Sequence, residues 1–209
     1  MPYSMKRKIT RIVESLIGFC LLIIQYVPVV GVWHGVMFFP LAIYFFSLLV
    51  IHPESFLVDM NFLLFSSHLM VGRIIAFAGV ILFLVASIQF LRMRGRLITT
   101  GLYSVVRHPQ YFGIIVATFG YSLMLIQVAP FIEMVSRILF VWIIQVLGYI
   151  SLAFYEERHL LLKHGDAYKQ FKCKVPFIFP CWHPSKIPEP IFSFIITLII
   201  ALFCMLLFV

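Results

Sequence analysis

Two polar stretches hold most of the side chains able to do chemistry in this 209-residue chain. The first, GRLITTGLYSVVRHPQY at 95–111, ends on Arg107, His108, Pro109, Gln110 and Tyr111. Gly95 and Gly101 permit tight backbone paths. Pro109 is placed to open the helix that follows. A helix N-terminus there offers unpaired N–H groups and positive potential, a setting for a carboxylate or another anion. Arg107 and His108 add donors at the same point. The competing structural role is that Arg107 snorkels to lipid phosphates and His108 caps the helix.

The second stretch, YEERHLLLKHGDAYKQFKCKVPFIFP, occupies 155–180. Glu156 and Glu157 follow directly on an apolar run, and carboxylates at a membrane edge are expensive unless paired or used. Arg158 and Arg107 are the candidate partners. Leu160, Leu161 and Leu162, followed by polar residues, predict a short amphipathic helix ending at Gly165. His159 is expected to face solvent. His159 and His164 stand five apart, a poor spacing for two ligands on one helix face, so no metal site is expected. Cys20 and Cys204 lie in apolar runs, Cys173 and Cys181 in a basic segment, and reduced thiols are expected rather than a disulfide framework.

The elements that must position these clusters follow from composition. Hydrophobic residues make up 63% of the chain and charged residues 11%, against roughly a quarter charged in a soluble domain. Such a chain cannot cover itself with polar groups, so most of its solvent is lipid. The fold class expected is an all-α, polytopic transmembrane bundle. Apolar runs of the necessary length, about 20 residues with 17 as a floor, occur at 71–91, 111–129, 138–154 and 191–209. Shorter runs at 16–32 and 36–51 carry Pro28 and Pro40, tolerated in membrane helices as kinks. Together they give about six spans, with 55–70 a possible further one despite Asp59, Asn61 and His68. A basic start precedes the first run without a clear small-residue cleavage site after it, so an uncleaved helix is expected rather than a signal peptide.

The formal charge is +8, and two regions concentrate the positive residues, Arg92 to Arg107 and Arg158 to Lys186. Cytoplasmic loops collect such charge, so no nucleic-acid partner is expected and both clusters are expected on the cytosolic face. The expected organisation is N-terminal transmembrane helices over 1–92, a core with both polar clusters and the helical hairpin over 93–190, and a closing helix over 191–209. Lys6, Arg7, Lys8 and Arg11 also favour the cytoplasm, which requires an even number of spans before Arg92. The side of the N-terminus therefore stays open, as does the oligomeric state.

Taken together and in order, GLYSVVRHPQYFG and EERHLLLKHGDAYKQF…VPFIFP resemble the isoprenylcysteine carboxyl methyltransferase and phospholipid methyltransferase group of integral membrane enzymes. The resemblance covers 95–180. It implies a multi-pass S-adenosylmethionine-dependent methyltransferase with its cofactor pocket at the cytosolic face, acting on a membrane lipid or a lipidated substrate. Carried over by motif position, the cofactor would touch Gly95, Arg96, Leu97, Ile98, Gly101, Tyr103, His108, Pro109, Gln110 and Tyr111. Glu156, with Glu157 and Arg107, would serve catalysis on the acceptor side. Ring faces of Tyr103 and Tyr111 suit a sulfonium cation, and Arg107 and His108 suit a carboxylate. Enzymes that methylate a prenylated cysteine place an arginine four residues before the equivalent of Glu156, where this chain has Leu152. That departure favours an amine or hydroxyl acceptor over a prenylcysteine carboxylate. The Arg-His-x-x-Tyr stretch also resembles membrane sterol and steroid reductases, which would use NADPH. A phosphate-bearing dinucleotide would want more arginine near the pocket than Arg107 supplies.

Overall fold

A computed structural model describes residues 32–51, 62, 65–93, 96–129, 131–180 and 187–208. The chain separates into two units, Met1–Phe39 and Pro40–Val209. Of the first, the short helix α1, Val32–Met37, is described. The remaining helices are α2 (Phe39–Ile51), α3 (Met70–Arg92), α4 (Pro109–Gln127), α5 (Ile132–Lys174) and α6 (Glu189–Phe208). Among the described residues there is no strand.

Helices α3 to α6 are each long and apolar enough to cross a membrane. They fall on the expected runs 71–91, 111–129, 138–154 and 191–209. The expected run 36–51 is represented by α2, which at 13 residues is short for a span of its own. Nearly all of 16–32, and much of 55–70, lie outside the described residues. Large apolar side chains stand exposed along α3 (Phe77, Ile81, Leu84) and α6 (Phe203, Leu206), as lipid-facing helices require.

The close partners are α3 with α4, α4 with α5, and α5 with α6. Small residues decide the first pairing. Added Cβ atoms at Gly72 and Gly120 would each meet the backbone of the other's turn, and one at Gly113 would come within 2.6 Å of the Phe83 nitrogen. Lipid gives no hydrophobic drive between helices, so close backbone approach and the dispersion contact it permits hold them together. Polar side chains assist: the Tyr44 hydroxyl of α2 lies 2.7 Å from Ser122 Oγ and donates to the Thr118 carbonyl at 3.2 Å on α4.

Helix α5 departs from expectation. The short amphipathic helix ending at Gly165 is instead the continuation of the span itself. Nothing between Phe154 and His164 breaks a helix, since Leu, Glu, Arg and Lys are all good formers. From Ile132 to His164 the helix is about 50 Å long, more than the roughly 40–45 Å of bilayer with its head groups. Its last turns therefore carry Glu156 and Glu157 beyond the hydrocarbon. At Gly165 the backbone turns to φ 53°, ψ −125°, and helix resumes to Lys174.

Candidate active site

The loop from α3 to α4 is pinned before it reaches the site. Gly101 adopts φ 64°, in the left-handed region that glycine enters without penalty, and the next amide, Leu102 N–H, donates to Gln89 Oε1 at 3.2 Å. One short turn, Gly101–Ser104, then delivers Tyr103 and the Arg107–His108 pair. Pro109 is the first residue of α4, as expected, with His108 at the N-cap position. The Arg107 amide donates to the Pro176 carbonyl at 3.0 Å, which ties this loop to the segment after α5.

A cavity of about 540 Å³, counting the space at its mouth, opens where these pieces meet the outer turns of α5. Its lining contains Arg96, Leu97, Ile98, Tyr103, Arg107, His108, Pro109, Gln110, Tyr111 and Glu156. Residues more than forty positions apart in the chain thus share one wall. Gly101 does not line it, and its part is the turn just described. Gly95 lies outside the described residues. Glu157 does not line it and belongs to a buried ion cluster.

Within the cavity, Glu156 is the acceptor on which the polar groups converge. Tyr111 donates its hydroxyl to Glu156 Oε2 at 2.9 Å, and His108 Nδ1 lies 3.3 Å from the same oxygen. The His108 ring stacks on Tyr111, with centroids 5.4 Å apart and planes 7° from parallel, and meets Phe177 edge-on. Burial by itself works against an imidazolium here. The Glu156 and Glu157 carboxylates outweigh it and hold the His108 pKa above its ordinary value. Burial, then the charge of Glu156, pushes the Tyr103 hydroxyl up, so it stays protonated and cannot act as a base. His159 is exposed, as expected.

The buried cluster lies behind the cavity wall. Arg107, its side chain 1% exposed, pairs with Glu157 at 2.6 Å and with Glu189. Lys172 reaches Glu157 at 2.7 Å and Glu189 at 3.7 Å. Glu157 Oε1 also lies 3.7 Å from His108 Nε2. Phe177 presents its ring to the Arg107 guanidinium, 5.4 Å from the centroid. The expected partnership of Arg107 with the Glu156–Glu157 pair is therefore present, through Glu157. The Arg107 charge is consequently shared between two carboxylates, and among the described residues the exposed cation on the cavity wall is Arg96.

Several wall residues carry no motif and escape a reading of the sequence. Phe90 closes the cavity from α3, Leu160 from one turn beyond Glu156, and Tyr168 and Phe171 from past the Gly165 break. Leu160, rather than Leu152, is the apolar neighbour of Glu156 in the wall. Glu189 had a legible signal: a lone carboxylate heading a charge-free span is costly unless partnered.

The sequence model of the phospholipid methyltransferase family matches residues 60–167. No curated protein and no solved structure gives a match. The matched stretch takes in α3, the Arg107–His108 turn, α4 and α5 through Glu156 and Glu157, the elements that build most of the cavity. The chain belongs to the phospholipid methyltransferase family, membrane methyltransferases that act on lipids.

Proposed function

We propose that this protein is an S-adenosylmethionine-dependent methyltransferase that alkylates an amine or hydroxyl on a lipid head group at the cytosolic face of the membrane. The carrying observation is the convergence of Tyr111 and His108 on Glu156 inside a cavity with aromatic walls. Its donor set fits the cofactor. Rings at Phe90, Tyr103 and Phe171 offer flat apolar surface for a purine. The Glu156 carboxylate with nearby ring faces suits a sulfonium. Arg96 and the first amides of α4 suit a carboxylate. Residues 93–190 form the site-bearing core in this reading, between N-terminal helices over 1–92 and a closing helix over 191–209.

S-adenosylmethionine, when bound, supplies an electrophilic methyl group to a nucleophile aligned with it. The chain's own residues do the rest. Tyr111 and His108 orient Glu156, which accepts the proton that the head-group nitrogen or oxygen must shed. The aromatic wall excludes water, so the nucleophile meets the site desolvated and held in one orientation. Glu157 and Arg107 act behind the wall by fixing His108. An anionic acceptor head would be set against Glu156 at low dielectric. Arg107 is already neutralised by Glu157 and Glu189, which argues equally against a prenylcysteine carboxylate and against the phosphate of NADPH.

Calorimetry in detergent should detect S-adenosylhomocysteine binding and no NADPH binding; the reverse result ends this proposal. With labelled S-adenosylmethionine, an aminolipid and a farnesylcysteine analogue are then offered side by side. Label is expected in the aminolipid. Label confined to the farnesylcysteine would overturn the acceptor class.

A further inference from the structure

The Glu189 carboxylate is buried at the head of α6, outside the cavity, yet it pairs with a cavity-wall residue. It and Lys172 both lie beyond residue 167, where the family match ends. Arg107 is held between two carboxylates, Glu157 and Glu189, and without Glu189 its guanidinium would lose one of them and with it the restraint that sets it against Glu157. Lys172 would lose the second of its two carboxylates. A buried charge stripped of its partner is strongly destabilising, so the surrounding groups must rearrange around it.

We infer that Glu189 is a positioning residue for the site: from α6 it holds Arg107 against Glu157 and so keeps Glu157 facing His108. The closing helix is then part of the working site as well as a membrane span. The inference rests on reading the cavity as the methyl-transfer site, but its geometry is present without any ligand. The titratable groups that meet His108 directly are Glu156 and Glu157 from α5 and the ring of Tyr111. Behind them, Arg107 and Lys172 pair with Glu157, and Glu189 of α6 pairs with Arg107 and Lys172. Tyr103 and Tyr168 line the same cavity as His108.

Charge balance gives the test its sign. Glu189→Gln leaves the cluster one unit more positive, which opposes a proton on His108. Lys172→Gln leaves it one unit more negative, which favours that proton. Imidazole NMR titration of His108 in ligand-free, histidine-labelled protein in detergent reads both. The titration should move to lower pH in Glu189→Gln, to higher pH in Lys172→Gln, and return close to wild type in Glu189→Asp. An unchanged midpoint in both glutamine variants, or a shift of the same sign in both, overturns the inference. So does a Glu189→Gln variant that only melts earlier. If Glu189→Gln does not fold, the double variant Glu189→Gln with Lys172→Gln, which keeps the net charge of the cluster, takes its place: a His108 titration below wild type supports the inference, and one at the wild-type midpoint overturns it.

S-adenosylhomocysteine affinity is measured alongside. It should fall about 10-fold in Glu189→Gln, the scale of one charge-assisted hydrogen bond. A wild type that binds no S-adenosylhomocysteine while the titrations shift as stated would sink the functional proposal and leave Glu189 in its role.

Discussion

At the residue scale, His108 links the chemistry of the site to the stability of the chain. Its folded pKa is raised because, despite burial, the carboxylates of Glu156 and Glu157 favour the imidazolium. The native state therefore binds a proton more tightly than the unfolded chain. That contribution is fully present below the ordinary histidine pKa of about 6.5, and is lost as pH rises through the raised folded value. Thermal unfolding in detergent across that window should show a wild-type loss of stability with rising pH that is absent from His108→Gln. A pH dependence unaltered by the substitution would mean that another group carries it.

At the element scale, two glycines are required for different physical reasons. A Cβ at Gly79 would overlap the Ala117 backbone. Backbone cannot step aside as a side chain can, so Gly79→Ala should cost about 3 kcal/mol, the upper end of ordinary overpacking. At Gly165 nothing lies within 4 Å of an added Cβ, yet φ is +53°. There the penalty is conformational, and Gly165→Ala should cost about 1–3 kcal/mol. The two also differ in where the damage appears. Gly79→Ala separates α3 from α4 and should lower the melting temperature of the whole chain. Gly165→Ala should expose 166–174 to limited proteolysis and weaken S-adenosylhomocysteine binding, because Tyr168 and Phe171 reach the cavity across that break. Identical proteolysis patterns for the two variants would contradict this division.

At the scale of the whole molecule, the question is which side of the bilayer the site faces. The outer turns of α5 carry Arg158, Lys163, Lys169, Lys172 and Lys174 in one polar extension, and such charge collects on the cytoplasmic side. Cys173 is exposed within it. In a variant retaining Cys173 as its sole cysteine, a membrane-impermeant thiol reagent should fail on intact cells and succeed after permeabilisation. Labelling of intact cells would put the cavity on the opposite face, and the cytosolic cofactor pool out of its reach.

The sequence by itself determined the solvent, the helical class, four long spans and most of the cavity wall. Hydrophobic run length is set by bilayer thickness, and local motifs such as Arg107–His108–Pro109 announce a helix start wherever they stand. The α3–α4 contact went unread, although Gly72 and Gly79 on one helix and Gly113 and Gly120 on the other repeat at the seven-residue spacing that keeps small residues on one face. Tertiary structure decided what sequence distance hides. Tyr168 and Phe171 reach the wall only because α5 outruns the membrane and bends at Gly165. Arg107, read as a hand for an anionic ligand, is occupied by Glu157 and by Glu189, 82 residues away. A charge pattern along a chain gives the signs of the groups but not their pairing, because which opposite charges meet is settled by packing once water has been excluded.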